Sequence, residues 1–506
     1  MLRLLRYLLI TAAVLAAAAA GAALFLLQDP NRFKPQLEAL IADGTGVPVT
    51  IGGDLGWRLW PPVSITAAGV TADYEGQRWQ VGRLAVELDA LAVLRDPADW
   101  RVESLTVEDT TMTDQGAVLT VQRARLSDLA PNRAAPLTAE LSYAPAGGEP
   151  LPVTLDGRLA IDPDTLALAL EETRFETPQA VGTCNLEATP AANPKPAPPA
   201  TEADLIPVDV FRAWSWVGDC LLDWVELDGE RFEQVALDLR NDAGDSALLA
   251  RLPRFFGGEA VADVAIDARE EPVRWTVTPT LTGVNSRELM AWLDQPLDWI
   301  ATLAYGGTLR FEGNNAAELA ASVSGETHFD GGDGRIDIAE VRRQVLALAA
   351  MFNETERIER WPEVWDYRRL EGTWRIDGHR HVLDAALDNL KLVAEGDYRP
   401  LEDELDMLLT LEFGNDPALP VFDLNPLLYD LPIPVRCRGT LAEPECRVDP
   451  DAAQRIVASA MSGENSKLRS TLERKIEEDV PEEYRDAARS LLDLLGSGRR
   501  TERQPH

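Results

Sequence analysis

The sequence predicts a mainly β protein behind one N-terminal transmembrane helix, with a few short helices and a helical C-terminal tail. Three observations carry this. An apolar run fills Leu8 to Leu27, hydrophobicity then alternates with a period of two from Val47 to about Asp449, and a four-residue spacing returns after Asp451.

The apolar run comes first. Arg3 and Arg6 precede it, and its 20 residues hold nothing more polar than Thr11 and Gly21. At about 1.5 Å per residue it spans roughly 30 Å, the thickness of a bilayer's hydrocarbon core. Arginines on the short side predict residues 1–7 in the cytoplasm, 8–27 as the span and 28–506 outside. A cleaved leader ending near Ala20 to Ala23 is the alternative. Secretory apolar cores are shorter, about 7–15 residues, which favours a retained anchor.

Charge narrows the function classes. The chain of 506 residues carries 84 acidic against 48 basic side chains, a net charge of −36. Phosphate-rich nucleic acid would be repelled, as would an anionic bilayer surface. Four cysteines, Cys184, Cys220, Cys437 and Cys446, form an even set in an exported and therefore oxidising setting. Three pairings are possible. Cys437 with Cys446 is the local one, which leaves Cys184 with Cys220 across a proline-rich stretch. A zinc site is disfavoured because no CxxC occurs.

Along the chain, Phe33, Leu37, Leu40 and Ile41 fall at helical spacing and Gly44 ends that helix. Alternation begins at Val47 and continues through Val63 and Ile65, then Leu84, Val86 and Leu88, then Leu105 and Val107, then Leu119 and Val121. This is the pattern of antiparallel strands with one apolar and one wet face. Residues 188–204 carry five prolines and cannot pack a core, so 28–187 and 205–450 are read as two portions of one β architecture around a linker or loop. Beyond it, LIPVDVFRAWSW reads as a short helix. Ser286 to Trp292 reads as another, with Ser286 as N-cap, and Ile338 to Phe352 as a longer one. Gly157, Gly307, Gly372 and Gly439 each precede an alternating run and are read as strand starts. Leu309, Phe311, Leu409 and Leu411 extend the apolar alternation. In the charged tail 451–506, Leu468, Leu472, Ile476 and Val480 lie four apart.

No set of catalytic residues emerges. The sequence has no G-x-S-x-G elbow, phosphate-binding loop or H-E-x-x-H pair, and no cofactor motif. His379 and His381 sit two apart and are read as exposed surface histidines in preference to metal ligands. Asp330, Asp333 and Asp337 among glycines are read as a β-turn in preference to a calcium loop. The tryptophans Trp57, Trp60, Trp79, Trp100, Trp214, Trp216 and Trp224 are read as packing residues rather than sugar platforms. Catalysis and metal binding are therefore not expected. Alternation alone leaves open whether the apolar face is closed by a second sheet or lines a trough.

The anchor, then GDLGWRLWPPVSITAAGVTA, LIPVDVFRAW, LARLPRFFGGEAVADVAID, LAYGGTLRFEG and VRCRGTLAEPECRVDP, in that order, resemble the AsmA family of Gram-negative bacteria. The resemblance runs from the anchor to about Asp449 and omits the proline-rich insertion and the tail. It implies an inner-membrane protein facing the periplasm, without enzymatic activity, that serves outer-membrane biogenesis. Relatives look like bridge-like lipid-transfer proteins, whose long curled sheet forms an apolar groove. On that implication Val63, Ile65, Leu84, Val86, Leu88, Leu105, Val107, Leu119, Val121, Leu309, Phe311, Leu409 and Leu411 line the groove, phospholipid is the cargo, and outer-membrane or other envelope proteins are further partners. A scaffold for outer-membrane protein assembly is the other function it implies.

Overall fold

The computed structural model describes residues 29–448, apart from 46, 59–62, 75–76, 89–101, 115, 131–132, 145–147, 163–164, 197–200, 202, 296–297, 340–341, 344–345, 347–357, 417, 420–421, 423–428, 431 and 442–443. The apolar segment Leu8 to Leu27, the tail from Asp451, Trp60, Trp100 and most of the helix expected over Ile338 to Phe352 lie outside the described residues. Among the described residues, no helix is long and apolar enough to cross a membrane.

The strands belong to one open, antiparallel, 23-stranded sheet, and the chain divides into two compact units, Met1–Ser246 and Ala247–His506. The first unit holds β1 (Val49–Ile51), β2 (Leu55–Arg58), β3 (Val63–Tyr74), β4 (Gln77–Leu88), β5 (Val102–Asp114), β6 (Ala117–Leu129), β7 (Ala135–Ala144), β8 (Leu151–Ile161), β9 (Leu168–Glu176), β10 (Ala180–Pro190), β11 (Trp214–Leu227) and β12 (Glu230–Asp242). The division falls inside β13 (Asp245–Phe255). The second unit holds β14 (Gly258–Asp267), β15 (Arg274–Asn285), β16 (Trp299–Glu312), β17 (Ser324–Asp337), β18 (Val364–Asp377), β19 (Arg380–Leu387), β20 (Leu390–Arg399), β21 (Glu404–Phe413), β22 (Ile433–Gly439) and β23 (Pro444–Val448).

Within the first unit β1 and β2 both pair with β3, and each later strand pairs with the next, an up-and-down meander. From β14 to β23 the second unit does the same. Short turns make this possible. Asp228-Gly229 joins β11 to β12 with both residues at positive φ, as do Ala243-Gly244 and Phe256-Gly257 at later hairpins. That is the two-residue turn whose twist matches the flanking strands. The proline-rich segment does not separate sheets, because β10 and β11 on either side of it pair directly from Ala180–Val225 to Pro190–Trp214.

Short helices add to the described strands, among them α1 (Lys34–Thr45), α2 (Val208–Ala213), α3 (Ser286–Trp292) and α4 (Ala316–Ser322). The turn Pro30–Phe33 and α1 close the edge at β1 and β2. There Asn31 Oδ1 accepts from the Leu55 amide at 3.0 Å and Glu38 Oε1 from that of Ile51 at 2.7 Å, pairing amides that an edge would leave free.

Three expectations are corrected. The α3 N-cap is Asn285, whose side chain accepts from Arg287 and Glu288. Ser286 is instead buried, its hydroxyl donating to the Trp299 carbonyl and accepting from the Ala301 amide. The glycines read as strand starts lie within strands, Gly157 in β8, Gly307 in β16 and Gly372 in β18, while Gly439 ends β22. Close approach of the neighbouring strand demands glycine there: a Cβ on Gly157 would stand 2.4 Å from Thr173 Oγ1. The Asp-Gly run around Asp330 is a bulged strand, β17, rather than a turn, with Gly332 at φ +50°.

Candidate functional site

In the first unit, cross-strand register assembles apolar residues into continuous rows. Leu55, Ala67, Leu84, Val107, Ala124, Ala139, Leu155, Phe175, Gly182, Leu222 and Val235 are successive partners from β2 to β12. A second row runs Trp57, Ile65, Val86, Leu105, Leu126 and Leu137. No residue in either row is charged or hydroxylated.

A bulge widens this face. Against β7, strand β6 carries one extra residue, Gln122, so that Val121 faces Leu141 while Ala124 faces Ala139. Alternation restarts there, and Leu119, Val121, Ala124 and Leu126 share one side. Pairing passes the same shift to β5, where Leu105 and Val107 join Thr110 and Met112, and to β4, where Leu84 and Val86 join Val81 and Trp79. The opposite face is charged. Glu108 bridges Arg83 and Arg123, and Arg174 bridges Glu176 and Asp223. A hollow of about 330 Å³ on that side is lined by Arg123, Glu140, Thr154, Asp156, Arg174 and Glu176, among others.

In the first row Leu55, Ala67, Ala139, Leu222 and Val235 are buried, whereas Leu84, Val107, Ala124, Leu155 and Phe175 are half-buried. Extensive strand–strand contacts join hydrogen-bonded neighbours, and helices pack on β1, β11, β12, β15 and β16. Val63, Leu84, Val86, Leu88, Leu105, Val107, Leu119 and Val121 are half-buried, and Ile65 is 38% exposed. Residues 1–113 match the AsmA family model. The match supports assigning the chain to the AsmA family. It spans the apolar segment and the strands through most of β5, so it includes Ile65, Leu84, Val86, Leu105 and Val107, while the rows continue beyond it to β12. No curated protein and no solved structure matches the chain.

The second unit has rows of its own. Val264, Val277, Leu309, Gly325, Ile376, His381, Gly396, Met407, Cys437 and Cys446 are successive partners from β14 to β23. Beside them run Gly307, Thr327, Trp374, Leu383, Ala394, Leu409 and Val435. Leu309, Phe311 and Leu409 are half-buried, whereas Leu411 is 4% exposed. Near Leu411 the face carries an aromatic cap, in which Trp361 and Phe422 pack over Phe413 and Trp365. Asp388 pins the cap, accepting from Trp365 Nε1 and from the amides of Arg368 and Arg369. Asn389 Oδ1 accepts from the Phe422 amide.

Both cysteine pairs are bonded, Cys184 to Cys220 across β10–β11 and Cys437 to Cys446 across β22–β23. His379 is exposed, but His381 is buried, which corrects the surface reading of that pair. His381 stands on the apolar side because its partners, Ile376 and Gly396, do. Burial, then repulsion from His379, lowers its pKa. Among the described residues no three His, Cys, Asp or Glu converge on a point. Trp57 packs on Phe33, Trp216 on Phe211, and Trp224 carries the Arg231 guanidinium over its ring. The tight pairing of a buried histidine with Trp374 was not legible in sequence.

Proposed function

We propose that this is an anchored envelope protein, set in the inner membrane by Leu8 to Leu27 and facing the periplasm, that holds phospholipid acyl chains on its apolar sheet face and passes them between the inner and outer membranes. The work is non-enzymatic. An acyl chain needs apolar surface without interruption, since each methylene moved out of water is worth about 0.8 kcal/mol and a charged rung would halt it. The observation that carries the reading is the eleven-residue row from Leu55 to Val235, uncharged at every strand and half-buried at Leu84 and Val107. A curled sheet would turn this face into a groove, with the charged face outward.

The test is mass spectrometry of lipid extracted from the purified full-length chain, alongside a Val107→Asp, Leu155→Asp variant of the same row. Wild type should carry phospholipid, and the variant should lose most of it while keeping its β circular dichroism. A wild-type chain free of lipid would favour the scaffold for outer-membrane protein assembly.

A further inference from the structure

We infer that Trp374, His381 and Tyr398 form an acid-sensitive clasp across β18, β19 and β20, which keeps the apolar wall of the second unit closed at neutral pH and loosens it when the imidazole takes a proton. This does not depend on whether lipid is carried.

The geometry fixes the protonation state. Trp374 Nε1 is always a donor, and it donates to His381 Nδ1 at 3.2 Å. Nδ1 is therefore the bare nitrogen and Nε2 holds the single proton. Nε2 is itself buried and makes no hydrogen bond. The side chains packed on the ring are aromatic or apolar, with the Tyr398 backbone beside it. Trp374 lies 5.5 Å away, Tyr398 meets it edge-on at 5.7 Å, and Ile376 and Gly396 are its cross-strand partners.

A second proton has no place to go. An imidazolium bears N–H at both nitrogens, so Nδ1–H would point at the indole N–H, donor against donor. It would also bring a charge into a site 6% exposed. The charged neighbours on β18 to β20, Arg375, Asp377, Arg380, Glu395 and Asp397, alternate with the clasp residues and so occupy the other face. His379, in the preceding turn, adds repulsion. The Tyr398 backbone and Asp397 favour the proton, but burial outweighs them and the pKa falls below its ordinary value of 6.5. Protonation is thus relieved by breaking the Trp374–His381 contact.

Hydrogen exchange of the full chain, followed from about pH 7 to about pH 4, reads the clasp directly. Each pH unit between the ordinary and the lowered pKa shifts the closed-to-open ratio about tenfold. Amides of β18 to β20 should lose protection on that scale in wild type, after correction for the intrinsic pH dependence of exchange. His381→Phe, which keeps a buried ring but cannot titrate, should abolish the loss. Nitrogen chemical shifts of the histidines give a second readout: His381 should show the Nε2–H tautomer at neutral pH, and Trp374→Phe should raise its pKa. Unchanged wild-type protection, the Nδ1–H tautomer, or equal acid loosening in His381→Phe would each overturn the clasp.

Discussion

The ring of Phe422 lies 3.8 Å from that of Trp365 and 14° from parallel. Phe422 is fully buried, 0% exposed, and lies outside the strands, so its ring, together with the hydrogen bond from its amide to Asn389, ties it to the apolar face. Truncating a buried phenylalanine costs about 3–5 kcal/mol. Phe422→Ala should therefore lower the urea midpoint of the second unit's transition, and near-ultraviolet circular dichroism should lose the signal of the coupled rings. An unchanged midpoint would mean the cap contributes nothing to stability.

Gly157 offers a test of strand approach. A Cβ there would meet the Thr173 hydroxyl at 2.4 Å and its Cα at 2.5 Å, contacts that include backbone and cannot be relieved by a rotamer change. Gly157→Val should destabilise by about 1–3 kcal/mol, as overpacking does, despite the better strand propensity of valine. Denaturation compared with Thr154→Val, at an exposed position of the same strand, separates the two effects.

The two disulfides should contribute unequally. Sequence separations of 36 for Cys184–Cys220 and 9 for Cys437–Cys446 correspond, in the chain-entropy account, to about 4 and about 3 kcal/mol. Replacing both cysteines of the first pair by alanine should lower the unfolding midpoint more than replacing the second pair. Equal losses would indicate that native packing around the bridges, not loop closure, sets their value.

Acid sensitivity at the second unit's far end follows from Asp406. Its hydrogen bond to Arg436, then the Arg436 charge and the contact with Arg438, hold its pKa below the ordinary 3.8. The unfolded chain therefore binds the proton more readily in that range. The contribution is complete above the ordinary value and is lost as pH falls through the folded one. These side chains are more than a third exposed, so solvent screens the effect. Urea midpoints between about pH 5 and about pH 3 should fall less steeply for Arg436→Gln with Arg438→Gln than for wild type; parallel curves would contradict this.

Much of the fold was legible because strands announce themselves locally. Leu84, Val86 and Leu88 alternate within a few residues, and the Asp228-Gly229 turn lies between two such runs. Features created by a neighbouring strand left no such trace. Gly157 looks like a strand start until Thr173 is placed beside it, and His381 looks exposed until Trp374 and Tyr398 enclose it. Asn285 and Ser286 are equally good caps by type, and only the Trp299 carbonyl and Ala301 amide decide which hydroxyl or amide is needed elsewhere.

The sequence by itself determined an apolar leading segment and a β body with two unlike faces, since these follow from the local period of hydrophobicity. The tertiary structure decided which residues share a face. A single extra residue, Gln122, moves Val121 to the side of Ala124 and so joins two stretches of alternation into one apolar surface. It also decided where that surface is covered, because Phe422 and Trp365 are far apart in the chain and meet only when the sheet has formed.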